Sequence, residues 1–115
     1  MTAEFNRVPT EIILHKKSRT LEVVFDDVER FILPCEYLRV FSPSAEVRGH
    51  GVGNAKLVLG KEHVNILALE PVGQYAIKPI FSDGHTSGIY SWKTLYELGV
   101  KQEENWRDYL EKAKK

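Results

Sequence analysis

The chain has only one cysteine, Cys35, so no disulfide can close within it and no zinc site can be built from several of its own thiolates. Such cysteine usage fits a reducing compartment, and a cytoplasmic protein is expected. An excess of charge is also missing. Sixteen basic residues balance sixteen acidic ones, so no net field draws the chain to nucleic acid or to an anionic membrane, and neither is expected as a partner. No apolar run approaches the roughly 20 residues that span a bilayer. The opening segment through Arg7 lacks a basic stretch followed by an apolar one, so it reads as a short frayed leader rather than a signal peptide. Repeats, linkers and low-complexity segments are absent as well.

What is present is an ordinary globular composition, 43% hydrophobic and 28% charged over 115 residues. That length suits one domain, residues 1–115, with one cooperative core. Residues 12–16 and 21–25 flank the polar turn Lys17, Ser18, Arg19 and read as a hairpin. In its second arm Leu21, Val23 and Phe25 alternate with more polar neighbours, the period of a half-buried strand. The apolar run Phe31, Ile32, Leu33 meets Pro34, which suits the first turn of a helix because proline has no donor to waste there. Cys35, Leu38 and Phe41 share a face of that short helix, and Ser42, Pro43 and Ser44 end it. The glycines at 49, 51 and 53 mark residues 46–56 as a loop.

Residues 64–69 and 75–81 read as a second strand pair about a turn at Pro71, Val72 and Gly73. Pro79 cannot donate to a ladder, which places it at an edge or a bulge. Asp83 and Gly84 offer a tight hairpin turn, with Ile89 and Tyr90 as the short returning strand. Ser91 is a helix N-cap, Trp92, Leu95 and Tyr96 lie on one helical face, and Gly99 is placed to terminate that helix. In residues 100–115, Trp106, Tyr109, Leu110 and Ala113 follow helical spacing, with Glu103 and Glu104 at the positive end and Lys112, Lys114 and Lys115 at the negative end. This closing helix is expected to pack across a sheet. The order of strands, helix, strands and helices indicates an α+β fold, antiparallel hairpins in a sheet packed against short helices.

Three constellations carry candidate chemistry. Asp83, Gly84 and His85 put a carboxylate and an imidazole at one hairpin tip, where both are able to ligate a metal. The plainer alternative is a turn signal beside a loop histidine without a role. Arg48, Gly49, His50 and Gly51 open a glycine-rich stretch whose amides would converge on an anion. Its spacing matches neither the dinucleotide nor the P-loop pattern, so a simple loop is the competing view and nucleotide hydrolysis is not supported. Cys35 would need His50 or His85 as a base to act as a nucleophile. On the apolar side of a short helix it reads more simply as a small core residue. None of the four histidines begins the His-X-Asp/Glu pattern of iron oxygenases: Lys17, Val52, Asn65 and Ser87 lie two residues after them.

The run from Leu38 through Phe41, Ser42, Pro43, Glu46 and Arg48 to His50 is followed by Glu70, Pro71, Val72, Gly73, Gln74, Tyr75 and Ala76. Asp83, Gly84 and His85 come next, then Gly88, Ile89, Tyr90, Ser91 and Trp92. Together they resemble the gamma-butyrobetaine hydroxylase-like N-terminal domain over residues 9–99. The resemblance implies a domain that, in the hydroxylases, precedes an oxygenase domain holding iron and 2-oxoglutarate and carries zinc through three cysteines and one histidine. His85 matches the histidine. The cysteines would fall between Arg39 and Val47, where this chain has none, so the zinc site is not carried over complete. Stand-alone copies are the most similar, and related copies end some P-loop carriers of iron-sulfur clusters.

The expectation is a non-catalytic accessory module with a protein partner, such as an iron-sulfur carrier or an oxygenase-related protein. Its surface would comprise Arg48, Gly49, His50, Gly51, Asp83, Gly84 and His85. The alternative is a protein holding one zinc or iron at His85 with Asp83, His50 or Cys35. A small cysteine- or histidine-dependent enzyme ranks last, because no base, nucleophile and orienting group can be assigned.

Overall fold

A computed structural model describes residues 5–43 and 57–114. Strands β1 (Pro9–His15), β2 (Thr20–Phe25) and β3 (Glu29–Pro34) form one antiparallel sheet in the order β1-β2-β3. Leu14, Leu21 and Leu33 align across it, as do Ile12, Val23 and Phe31, so one face is a continuous apolar layer. The β2 to β3 turn places Asp26 and Asp27 at positive φ and closes with Val28 N–H donating to the Phe25 carbonyl at 3.0 Å. Two short polar side chains tolerate that backbone better than most residues do. After helix α1 (Cys35–Val40), strands β4 (Ile66–Val72), β5 (Ala76–Phe81) and β6 (Tyr90–Ser91) build a second antiparallel sheet in the order β4-β5-β6. Helices α2 (Trp92–Val100) and α3 (Gln102–Ala113) follow. The architecture is α+β, with two sheets where one was expected.

The core lies between these elements. Leu21, Val23, Phe25 and Leu33 from the first sheet meet Leu38 from α1, Ile66, Ile77, Phe81 and Tyr90 from the second, and Leu95 from α2. Ser91 caps α2 by accepting from Thr94 N–H at 3.1 Å, as its side chain requires. Trp92, Leu95 and Tyr96 all pack on the core from that helix. Among the described residues no helix is long and apolar enough to cross a membrane.

Several local expectations are corrected. The apolar run Phe31 to Leu33 forms a third strand, and Pro34, expected in the first turn of α1, is instead its N-cap, one position earlier. Strand β2 is buried on both faces: Glu22 and Val24, on the outer side, are only 8% and 1% exposed. The Glu22 carboxylate is covered by His15 at 2.8 Å and by Arg30 from the flanking strands. Residues from Phe5 onward are not frayed. Phe5 packs on Phe25 and Tyr96, and Arg7 lies 4.4 Å from the Tyr96 ring centre while pairing with Asp26 and Glu29. Pro71 sits inside β4, and the turn after it runs from Val72 to Tyr75. Pro79 lies in the central strand β5, yet β6 pairs only with Ala76 and Ile77, so among the described residues no strand pairs with the outer side at Pro79, which is locally an edge as expected. The returning strand is Tyr90 with Ser91, without Ile89.

Two corrections concern the closing helices. Gly99 does not terminate α2, which runs on to Val100 with Lys101 as its C-cap. Gly99 is instead a point of close approach, where the ring of Phe31 occupies the space a side chain would need. Helix α3 packs through its aromatic side chains on Tyr37 of α1 and on Phe41 just after it, rather than across a sheet. Trp106 meets Tyr37 edge-on at 6.0 Å, Tyr109 lies 6.5 Å from Phe41, and Asn105 donates to the Tyr37 hydroxyl at 3.1 Å.

Candidate functional site

The turn after β5 has the tight geometry that Asp83 and Gly84 predict. Gly84 N–H donates to the Phe81 carbonyl at 3.1 Å, Phe81 N–H donates to the His85 carbonyl at 3.2 Å, and Gly84 has a φ of 92°. The Asp83 side chain organises the tip. Its Oδ1 accepts from the His85 backbone N–H at 3.1 Å, while Oδ2 accepts from Arg39 Nε at 2.8 Å and Lys61 Nζ at 2.7 Å. Arg39 is in the last turn of α1 and Lys61 precedes β4, so one carboxylate joins three separate segments.

Partial burial opposes ionisation of Asp83, but the hydrogen bonds from Lys61, the His85 amide and Arg39 outweigh it and hold the carboxyl at about 2. Its folded value is thus below its unfolded value, and the stability it contributes is full above about pH 4 and lost as pH falls through about 2. Asp83→Asn should lower stability by about 1 kcal/mol at pH 7 and make almost no difference at pH 2. Urea melts of both proteins at the two pH values check this, and an equal loss at both would contradict the ion-pair account.

His85 follows Asp83 but turns inward and is 7% exposed. Its Nε2 lies 2.9 Å from Ser42 Oγ, just beyond α1, and its ring packs 6.0 Å from Phe81. The Tyr90 hydroxyl donates to the Leu38 carbonyl nearby, and burial raises its pKa. Gly88 makes this clasp feasible, because a Cβ there would collide with Ser42 Oγ and come within 3.2 Å of Tyr90 Cε1. The imidazole therefore fastens the loop of residues 82–88 to the end of α1.

Cys35 is fully buried, and burial pushes its thiol pKa up. Its Sγ donates to Asn65 Oδ1 at 3.8 Å, so it serves as a packed core residue with a weak donor. Asn65 is a hub that no spacing in the sequence marks. Its Nδ2 donates to the Lys16 carbonyl at 3.1 Å, and its backbone exchanges hydrogen bonds with Ser82 at 2.8 Å, tying the first hairpin to the tip. The pairings of Arg39, Ser42 and Lys61 are likewise invisible to motif reading, because their partners lie 22 to 44 residues away.

Arg48, Gly49, His50 and Gly51 lie outside the described residues. Among the described residues no three histidine, cysteine or acidic side chains come together as a metal cluster. The residues present do not fit a zinc site of three thiolates and one histidine. The chain has one thiol, buried against Asn65, and the Nε2 of His85 is engaged by Ser42. A cation at Asp83 would have to displace Lys61 or Arg39.

Two NMR solution structures are similar to this protein. One is 50% identical, covers 99% of this chain and 86% of its own, and superposes with a TM-score of 0.84. The other is 48% identical, covers 92% and 83%, and has a TM-score of 0.80. A crystal structure of a protein with unknown function of the DUF971 family from Acidithiobacillus ferrooxidans is 40% identical over 79% of this chain and 91% of its own, with a TM-score of 0.67. No curated protein matches the chain. The family described as gamma-butyrobetaine hydroxylase-like, N-terminal, matches residues 12–96, which include α1, Asp83, His85 and the Ser91 cap. The chain therefore belongs to the gamma-butyrobetaine hydroxylase-like N-terminal domain family.

Proposed function

We propose that this domain is a non-catalytic accessory module that docks a protein partner through the tip at residues 82–87, in the handling of a metal or iron-sulfur cofactor. The observation that carries this reading is how fully the tip's reactive groups are committed to its framework. Asp83 holds Arg39, Lys61 and the His85 amide, and His85 bonds Ser42. What the tip presents outward is Ser82, Gly84, Thr86, Ser87 and the exposed part of the ion-paired Asp83, on a backbone fixed in advance. A preorganised loop loses little entropy when a partner seats on it, which favours recognition over turnover. The link to cofactor handling rests on the family likeness alone.

The test compares the full chain with the double variant Thr86→Arg, Ser87→Arg, whose side chains are exposed and whose melting should be unchanged. A partner captured from native lysate, then purified, should bind the wild-type chain at least tenfold more tightly than the variant. Equal binding by the two proteins, or turnover of a substrate by the chain with no added subunit, would overturn the proposal. Stoichiometric zinc or iron in untagged protein, lost with His85→Ala, would instead favour a metal-binding protein using His85 with Asp83, His50 or Cys35.

A further inference from the structure

Among the described residues, helix α3 covers α1 with one face and leaves a second apolar strip uncovered. A groove of about 650 Å3 runs along it, floored by Tyr37, Pro34 and Trp106 and edged by Leu110, which is 45% exposed. None of its lining residues belongs to the tip. Its rims carry Glu103, Arg107, Glu111 and Lys114, spaced so that Glu103 with Arg107 and Arg107 with Glu111 are each four residues apart. Ion pairs at that spacing are a common way for a solvated helix to use its charges. Here neither pair forms, and none of the four side chains joins any of the ion pairs among the described residues.

The distribution of these charges points to the occupant. The helix is acidic at its start and basic at its end, so a second α3 lying antiparallel across the groove sets the acidic end of each copy against the basic end of the other. With a two-fold axis near Asp108 and Tyr109, Glu103 faces Lys114 of a second copy, Arg107 faces Glu111, and Leu110 enters the neighbouring groove beside Trp106. A parallel arrangement would set like charges together. A two-fold contact requires a patch complementary to itself, and this strip meets that requirement in the sign of its charges.

We infer that the groove on α3 is a homodimer surface, occupied by the α3 helix of a second copy of this chain in antiparallel orientation. One helix face is smaller than the interfaces of permanent dimers, so association is expected with a Kd of about 0.1 mM.

Sedimentation equilibrium of the full chain from 10 μM to 1 mM (about the Kd on either side) tests this. The apparent mass should rise toward that of a dimer across the range. Leu110→Lys, at an exposed site, should keep the protein monomeric throughout with an unchanged melting temperature. Glu103→Lys and Lys114→Glu should each weaken association about tenfold, and the two together should restore most of it, because the charge pair is then re-formed with the signs exchanged. A chain that stays monomeric at 1 mM overturns the inference and leaves the groove to another occupant. A dimer insensitive to Leu110→Lys, or a double charge variant no better than either single one, overturns it as well.

Discussion

Gly99→Ala should destabilise the protein by about 2–3 kcal/mol, lowering its melting temperature by about 10 °C. On helix propensity alone the opposite is expected, since alanine in a helix interior is about 1 kcal/mol better than glycine. The deciding fact is the Phe31 ring. A Cβ at Gly99 would lie 2.6 and 2.7 Å from its two Cδ atoms and closer still to Cγ. The ring has little room to move, being edge-on to Phe25 at 6.2 Å and to Tyr96 at 5.6 Å. Relief would require α2 to withdraw from β3, which would disturb the packing of Tyr96 and Leu95 on the core. Introducing Gly99→Ala into a Phe31→Leu background should cost much less, because the smaller side chain leaves the room that the ring occupied. A melting temperature for Gly99→Ala equal to or above wild type would show that helix propensity prevails and that the contact is soft.

Gly88→Ala is the second large effect expected, about 2 kcal/mol, and it acts on the clasp rather than on a helix. The added methyl would drive Ser42 Oγ away from His85 and press on Tyr90. Ser42 is 1% exposed and His85 7%, so their hydrogen bond is shielded from water and losing it costs stability. Ser42→Ala alone should cost about 1–2 kcal/mol by losing the same bond. Combined with Gly88→Ala it should cost clearly less than the sum of the two, because the oxygen that the methyl strikes is gone. Chemical denaturation of the four proteins gives this cycle. Strict additivity would mean that the methyl does its damage through Tyr90 and that the clasp is incidental.

The residues of the tip were legible in the sequence, but their orientations were not. Asp83 and Gly84 form the turn that their backbone preferences dictate, and Ser91 caps the helix it precedes. Both are local effects, settled within four residues. Whether His85 points to solvent or inward depends on Ser42, 43 positions earlier. Asp83 has the form of a metal ligand in sequence and becomes an ion-pair hub only because Arg39 and Lys61 converge on it. Gly99 has the form of a helix stop by the usual rule, yet its role is set by Phe31, 68 residues away.

Composition and periodicity by themselves determined the α+β class, both hairpins and the two closing helices. Each depends on hydrophobic alternation or on a backbone restriction of one or two residues. Only the tertiary structure decided that the strands divide into two sheets, that β2 is buried on both faces, and that the final helix lies on α1. The physical reason is range. Strand pairing, burial of a carboxylate such as Glu22 and the contact of Tyr37 with Trp106 depend on groups brought together by chain closure, and no periodicity encodes which of several apolar faces will meet.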